Sequence, residues 1–248
     1  MKITSTGALT QLTFLPYLMP MNCYLLEEED GLTLIDCAMA FSAKPILQAA
    51  AKIGKPITRI VLTHAHGDHI GALDLLKQQL PAAQVYISAR DARLLRGDRS
   101  LDASEPQQPI KGGVPKPGTI RTTPDVELQP GDKVGSLTVI AAPGHTPGHI
   151  ALWQESSRLL IAGDAMQTKG GTAVAGTMKL RFPFPALATW SKEEAVASVK
   201  RLLALQPEVL AVGHGNMLHK PAQAMAAAIA EAERALPSAA SAQGEIES

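Results

Sequence analysis

The apolar positions of this chain change period several times, and each change marks an element. Residues 3–14 and 22–27 alternate apolar and polar side chains, and Leu32-Thr33-Leu34-Ile35-Asp36 returns after the turn signal Asp30-Gly31, so the chain opens on antiparallel strands. Helical spacing then predicts a helix over 42–53, begun by Ser42 and ended before Gly54. The short β-branched run 57–63 reads as a buried strand, 70–80 as a helix, 84–88 as a strand and 90–96 as a short helix. Residues 97–118 lose all periodicity, and a loop of that length inside a compact domain is either functional or disordered. Strands resume near 119–128, 133–142, 149–154 and 158–163, followed by a second irregular stretch, 166–190. Ser191 opens a helix to about 205, with Glu194 completing a capping box. A strand at 209–212 and an Ala-rich helix from Pro221 to Pro237 close the pattern, and 238–248 reads as a flexible tail.

This order predicts an α/β protein with one domain over 1–237. Strands, a loop and helices occur twice, which suggests two β-rich halves packed face to face with helices outside. The chain has 248 residues, 46% of them hydrophobic, enough for a sizeable core. Formal net charge is zero and no Lys/Arg cluster stands out, which argues against nucleic acid and against a membrane surface as partners. No run of eighteen apolar residues exists, and the amino terminus lacks a signal-peptide layout. A two-residue turn at Asp30-Gly31 would pair Tyr24 with Cys37 and set Cys23 and Cys37 on opposite faces. Two unpaired cysteines suit a reduced, cytoplasmic protein.

The chemistry concentrates in Thr63-His64-Ala65-His66-Gly67-Asp68-His69. Three imidazoles and a carboxylate fall within six residues, on the loop between a strand and a helix. Open α/β sheets place their sites at such strand ends, and neutral imidazole with carboxylate is a zinc ligand set. Three later strand ends carry the same residue types beside glycine: Pro143-Gly144-His145-Thr146-Pro147-Gly148-His149, then Gly163-Asp164-Ala165, then Gly213-His214-Gly215. Asp36, at the end of an apolar strand, reads either as a turn residue or cap, or as the partner that fixes the tautomer of a ligand histidine.

With these four motifs the chain resembles the metallo-β-lactamase fold superfamily from about residue 3 to 235, in its generic bacterial metallo-hydrolase branch, near glyoxalase II and the lactonases. The resemblance implies a four-layer αβ/βα sandwich with two metals at the edge between its sheets. It implies that His64, His66 and His145 hold the first metal, that Asp68, His69 and His214 hold the second, and that Asp164 bridges them. His149 then reads as a strand-start residue bonded to backbone, and His219 as a surface histidine. The cofactor expected is zinc, two per chain, with iron and manganese as other options.

Two dications sharing a water lower its pKa toward neutrality and make hydroxide available, with Asp68 as the catalytic residue that orients it or carries its proton. The reading is a binuclear zinc-dependent hydrolase acting on a small neutral ester, lactone or thioester. Phe14, Tyr17, Phe182 and Phe184, in two apolar loops, are the candidate substrate-binding residues, although those loops and 97–118 also suit a dimer contact. The bridging Asp164 separates the chain from true β-lactamases. Met166, Gln167 and Thr168 stand where lactonases of the superfamily carry a tyrosine, and Lys179, Arg181 and Lys220 are unclustered where glyoxalase II grips glutathione carboxylates. The alternatives are a persulfide-dioxygenase-like iron enzyme, glutathione-thioester hydrolysis and β-lactam hydrolysis. The partner expected is a small molecule; the oligomeric state stays open, with a homodimer as one option.

Overall fold

The computed structural model describes residues 1–236. Its first half is a seven-stranded sheet whose spatial order follows the chain: β1 (Lys2–Thr6), β2 (Leu9–Phe14), β3 (Met21–Glu28), β4 (Gly31–Ile35), β5 (Ile57–Val61), β6 (Gln84–Ser88) and β7 (Val126–Leu128). The hairpin strands β1 to β4 are antiparallel, and β4 to β7 are parallel through helical crossovers. The second half is a six-stranded sheet of β8 (Lys133–Val134), β9 (Leu137–Ala141), β10 (Ile150–Gln154), β11 (Leu159–Ile161) and, after a small two-stranded ribbon of β12 (Met166–Gln167) and β13 (Ala173–Val174), β14 (Val209–Ala211) and β15 (Leu218–His219). Helices α1 (Ala43–Ile53), α2 (Gly67–Ile70), α3 (Leu73–Gln79) and α4 (Ala89–Leu95) belong to the first half. The short α5 (Phe184–Ala188), with α6 (Lys192–Ala204) and α7 (Ala222–Arg234), belongs to the second.

Strand periodicity explains the layering. In β3, Cys23 and Leu25 point toward Ile46, Leu73 and Leu76 of the helices, while Tyr24 and Leu26 point toward Leu137, Val139 and Leu152 of the other sheet. On the far side Ala151, Leu160 and Leu210 pack against Val199, Leu202 and Met225. Three apolar layers therefore separate four layers of structure, helix–sheet–sheet–helix, and inner strands are buried on both faces. The αβ/βα sandwich expected from the motifs is the fold observed.

Several boundaries differ from the sequence expectation. Residues 3–14 and 133–142 each split into a hairpin, at Gly7 and Gly135, both in the left-handed region. Only Val126–Leu128 of the strand expected at 119–128 forms, and the helix expected at 70–80 starts at Gly67 and breaks after Ile70. The hairpin between β3 and β4 turns at Glu29-Asp30, so that Glu28 pairs with Gly31 and Tyr24 with Ile35 rather than with Cys37. Gly31 serves packing, because a Cβ there would meet Pro56 O and Thr58 Cγ2 at 2.7 Å. Cys37 lies past the end of β4, after Asp36 at positive φ, and shares the helix-facing core cluster with Cys23 rather than the opposite face expected; both cysteines are free and buried. The expected tail, 238–248, lies outside the described residues. Among those described, no helix is long and apolar enough to cross a membrane.

Candidate metal centre

Five strand ends deliver polar groups to one edge between the sheets. The chain leaves β4 at Asp36 and β5 at Thr63–His69, turns between β9 and β10 at His145, and leaves β11 at Asp164 and β14 at His214. There His64, His66 and His145 form one group whose ligand atoms lie within 4.8 Å of one another, and Asp68, His69 and His214 form another. His66 Nδ1 and His145 Nε2 approach to 3.0 Å. Asp164 stands between the groups, with Oδ2 3.4 Å from His145 Nε2 and 3.0 Å from His214 Nε2, and Oδ1 3.5 Å from His69 Nε2. All seven residues named from the motifs meet at one centre.

The outward-facing nitrogens settle the tautomers. His69 Nδ1 lies 2.8 Å from Asp36 Oδ2, His66 Nε2 lies 3.1 Å from Lys111 O, and His214 Nδ1 lies 2.6 Å from Pro20 O, so each of these nitrogens donates. His64 Nδ1 faces Thr63 Oγ1 at 3.0 Å, and that hydroxyl already donates to Asp36. His145 Nδ1 faces Thr189 Oγ1 at 3.2 Å, and that hydroxyl already donates to Pro185 O. Both hydroxyls must accept from the imidazoles. In its neutral form each of these five histidines is thereby left with a lone pair on its inward nitrogen, the form a metal takes.

The centre fits divalent cations by a second test. His64 Nε2, His69 Nε2 and Asp164 Oδ1 are buried without a hydrogen-bond partner. Each such atom costs on the order of 1–3 kcal/mol, and a cation among them would satisfy all three. Electrostatics divide the five histidines into two kinds. Burial, reinforced by the neighbouring imidazoles, pushes His64 and His145 well below the ordinary histidine value, and burial also lowers His66. Burial opposes charge on His69 and His214 too, but the carboxylates around them, Asp164 foremost, hold both above it. Asp164, despite its own burial, is held well below the carboxylate range by His214 and His69.

The metallo-β-lactamase superfamily model matches residues 17–214. The chain belongs to that superfamily. It is 52% identical over 234 residues to YobT, an uncharacterized protein of Bacillus subtilis (strain 168), covering 94% of this chain and 100% of that one. It is 33% identical over 216 residues to the probable metallo-hydrolase YflN of the same organism, covering 78% and 80%. A hydroxyacylglutathione hydrolase of Synechococcus sp. (strain JA-2-3B'a(2-13)) is 32% identical over 162 residues, 63% of this chain and 53% of that one. Among solved structures, TTHA1623 in a di-iron-bound form superposes with a TM-score of 0.63 at 29% identity, covering 86% of this chain and 96% of that one.

Within this metallo-hydrolase family site, the remaining sequence candidates fall as follows. Asp36 is the tautomer-fixing partner, bonded also to Thr63 N, and it sits at φ 59°, a region Asp tolerates better than most residues. His149 accepts the backbone N–H of Asp164 at 3.0 Å, and His219 is exposed. Phe14 is buried and packs edge-on against Phe41. Phe182 is buried with its ring 5.3 Å from that of His214, whereas Phe184 is half exposed and Tyr17 is 94% exposed. The sequence reading missed Thr189, Lys111 O and Asp91, all of which bear on the ligand loops.

Proposed function

We propose that the protein is a binuclear zinc hydrolase of small neutral esters, lactones or thioesters. The observation that supports it most is the position of Asp164, a single buried carboxylate with its two oxygens turned to histidines of both sets. Held there, two dications would supply Lewis-acid polarisation of a carbonyl and activation of water at neutral pH.

The chain's own residues supply the rest. Asp68 is the one carboxylate of the set that is partly exposed, with Oδ2 3.4 Å from His214 Nε2. It faces the open side of the centre and can hold the proton that a departing alkoxide or thiolate needs. Burial raises the Cys23 and Cys37 thiols well above their ordinary value, which removes both as nucleophiles. The loops bearing Tyr17 and Phe182-Pro183-Phe184 both touch His214, one through Pro20 O and the other through the Phe182 ring. We assign Tyr17 and Phe184 as apolar walls, Phe182 as the floor beneath them and Phe14 as the buried root of its loop. Lys179, one of the basic side chains that could grip an anionic substrate, is engaged by Glu231 at 2.7 Å. This favours a neutral substrate.

A second reading concerns the metal, since TTHA1623 was solved with two irons. Metal analysis of protein purified without added metal separates zinc from iron. A panel of γ- and δ-lactones, aryl esters, S-lactoylglutathione and a cephalosporin, run on chelated and re-metallated protein, then ranks substrates. A good lactone should reach at least about 10⁴ M⁻¹s⁻¹ in kcat/KM. Activity seen only with iron and an oxidant would overturn hydrolysis.

A further inference from the structure

The α4 helix begins directly after β6, and its third residue departs from what its position predicts. Ser88 caps the helix by accepting the Asp91 N–H at 3.1 Å. An acidic residue at that place ordinarily turns back to the cap's own backbone N–H. Asp91 turns inward instead and is completely buried. Its Oδ2 accepts from Ala65 N at 3.0 Å and from Thr146 Oγ1 at 2.8 Å, and its Oδ1 accepts from Gly148 N at 2.8 Å. Ser88 Oγ donates to Gly148 O at 2.5 Å, so the cap and the carboxylate grip the same residue, one at its carbonyl and the other at its N–H. A Cβ on Gly148 would fall against Asp91, which is why the backbone can come this close.

The partners of this carboxylate lie beside metal ligands in both halves of the molecule. Ala65 separates His64 from His66 on the loop after β5, and Thr146 follows His145 on the loop between β9 and β10. We propose that Asp91 is the positioning residue of the first metal set, a clamp from outside the ligand sphere that holds the His64–His66 loop and the His145 loop at coordinating distance. All three groups that reach it are donors, so only an ionised carboxylate satisfies them together; an amide would turn its own N–H toward one of them. Partners that orient ligands from behind set metal affinity about 10–100-fold, and this one does so through two backbone N–H groups and a threonine hydroxyl rather than through an imidazole. The inference rests on the metal centre proposed above.

Two variants of the full-length chain test it. Asp91→Asn keeps one acceptor oxygen and loses the Gly148 bond, while Thr146→Val removes only the hydroxyl and leaves the carboxylate and every ligand in place. Metal-free protein would be titrated with cobalt(II), read by its d–d absorption, and with zinc against a chromophoric chelator, at a temperature where circular dichroism shows each variant folded. The expected result is that the wild type takes up two metals, that at least one zinc equivalent weakens about 10–100-fold in both variants, and that the cobalt spectrum changes. Variants that melt earlier without metal, yet bind zinc within twofold of wild type and give its cobalt spectrum, would reduce Asp91 to a structural clamp and overturn the proposal. If Asp91→Asn does not fold, Thr146→Val decides alone. A wild type that binds no metal overturns the metal centre, a different failure from that of the variants.

Discussion

At the scale of the residue, the centre is defined as much by what stands behind each ligand as by the ligands. Asp164 has neighbours in both histidine sets, so its removal should disturb both: Asp164→Ala is expected to lose metal stoichiometry and activity together, by more than the roughly 10–100-fold typical of losing an outer partner. Elemental analysis beside turnover checks this, and a variant with two metals and full turnover would refute the bridge. Gly112 gives a subtler case. It sits at φ 83°, and a Cβ there would clash with the Nε2–Cε1 edge of the His66 ring. Gly112→Ala must push that imidazole off Lys111 O or lift the loop, and should weaken metal binding about tenfold or more. The loop itself stays anchored by the Arg90–Glu105 ion pair, both partners mostly buried, so chelator competition on folded protein reads the effect. Unchanged affinity would mean the loop yields instead of the ring.

At the scale of the element, α6 shows a local rule half obeyed. Ser191 Oγ accepts from Glu194 N at 3.3 Å, as a cap should, but Ser191 N donates to Gly144 O and Trp190 N to His145 O. The helix start is thus tied to the His145 loop through backbone. Ser191→Ala removes only the cap, worth about 1 kcal/mol, and should lower Tm by about 2–4 °C while turnover per folded molecule holds; a loss of turnover would show that the side chain, not the backbone, steadies His145. What could be foreseen follows the same division. The seven residues that gather at the centre lie on short motifs at strand ends, where apolar runs and glycine mark the spot, and their gathering was legible. Asp91 was not, because Ala89-Arg90-Asp91-Ala92-Arg93 has the composition of a solvated helix and its burial depends on loops 55 and 57 residues further on. Residues 97–118 were legible only as aperiodic. Their order comes from pairs such as Arg93 with Asp102 and from Trp190 Nε1 donating to Gln108 O, contacts between residues that carry no periodic signal.

At the scale of the molecule, the two halves supply complementary parts of one site. His64, His66, Asp68 and His69 follow the seven-stranded sheet, and His145, Asp164 and His214 come from the six-stranded one. The halves already share an apolar layer, and Asn22 Nδ2 and Tyr24 Oη donate across it to Val212 O at 2.8 and 2.6 Å, just before His214. Metal bound at the edge would add a second fastening there, because each metal set draws ligands from both sheets. A ligand that binds only the folded state stabilises it by RT ln(1 + [L]/Kd), about 4.1 kcal/mol when free metal exceeds Kd a thousandfold. In a chain of this size that corresponds to a rise on the order of 10 °C per site. Chelation is therefore expected to lower Tm by at least that much, and re-addition of metal to restore it. His214→Ala, which strips one histidine from the second set, should keep part of the metal-dependent rise, since His64, His66 and His145 remain. A Tm that ignores both chelator and metal would show that the histidine cluster binds no metal tightly, and the hydrolase reading would fall with it.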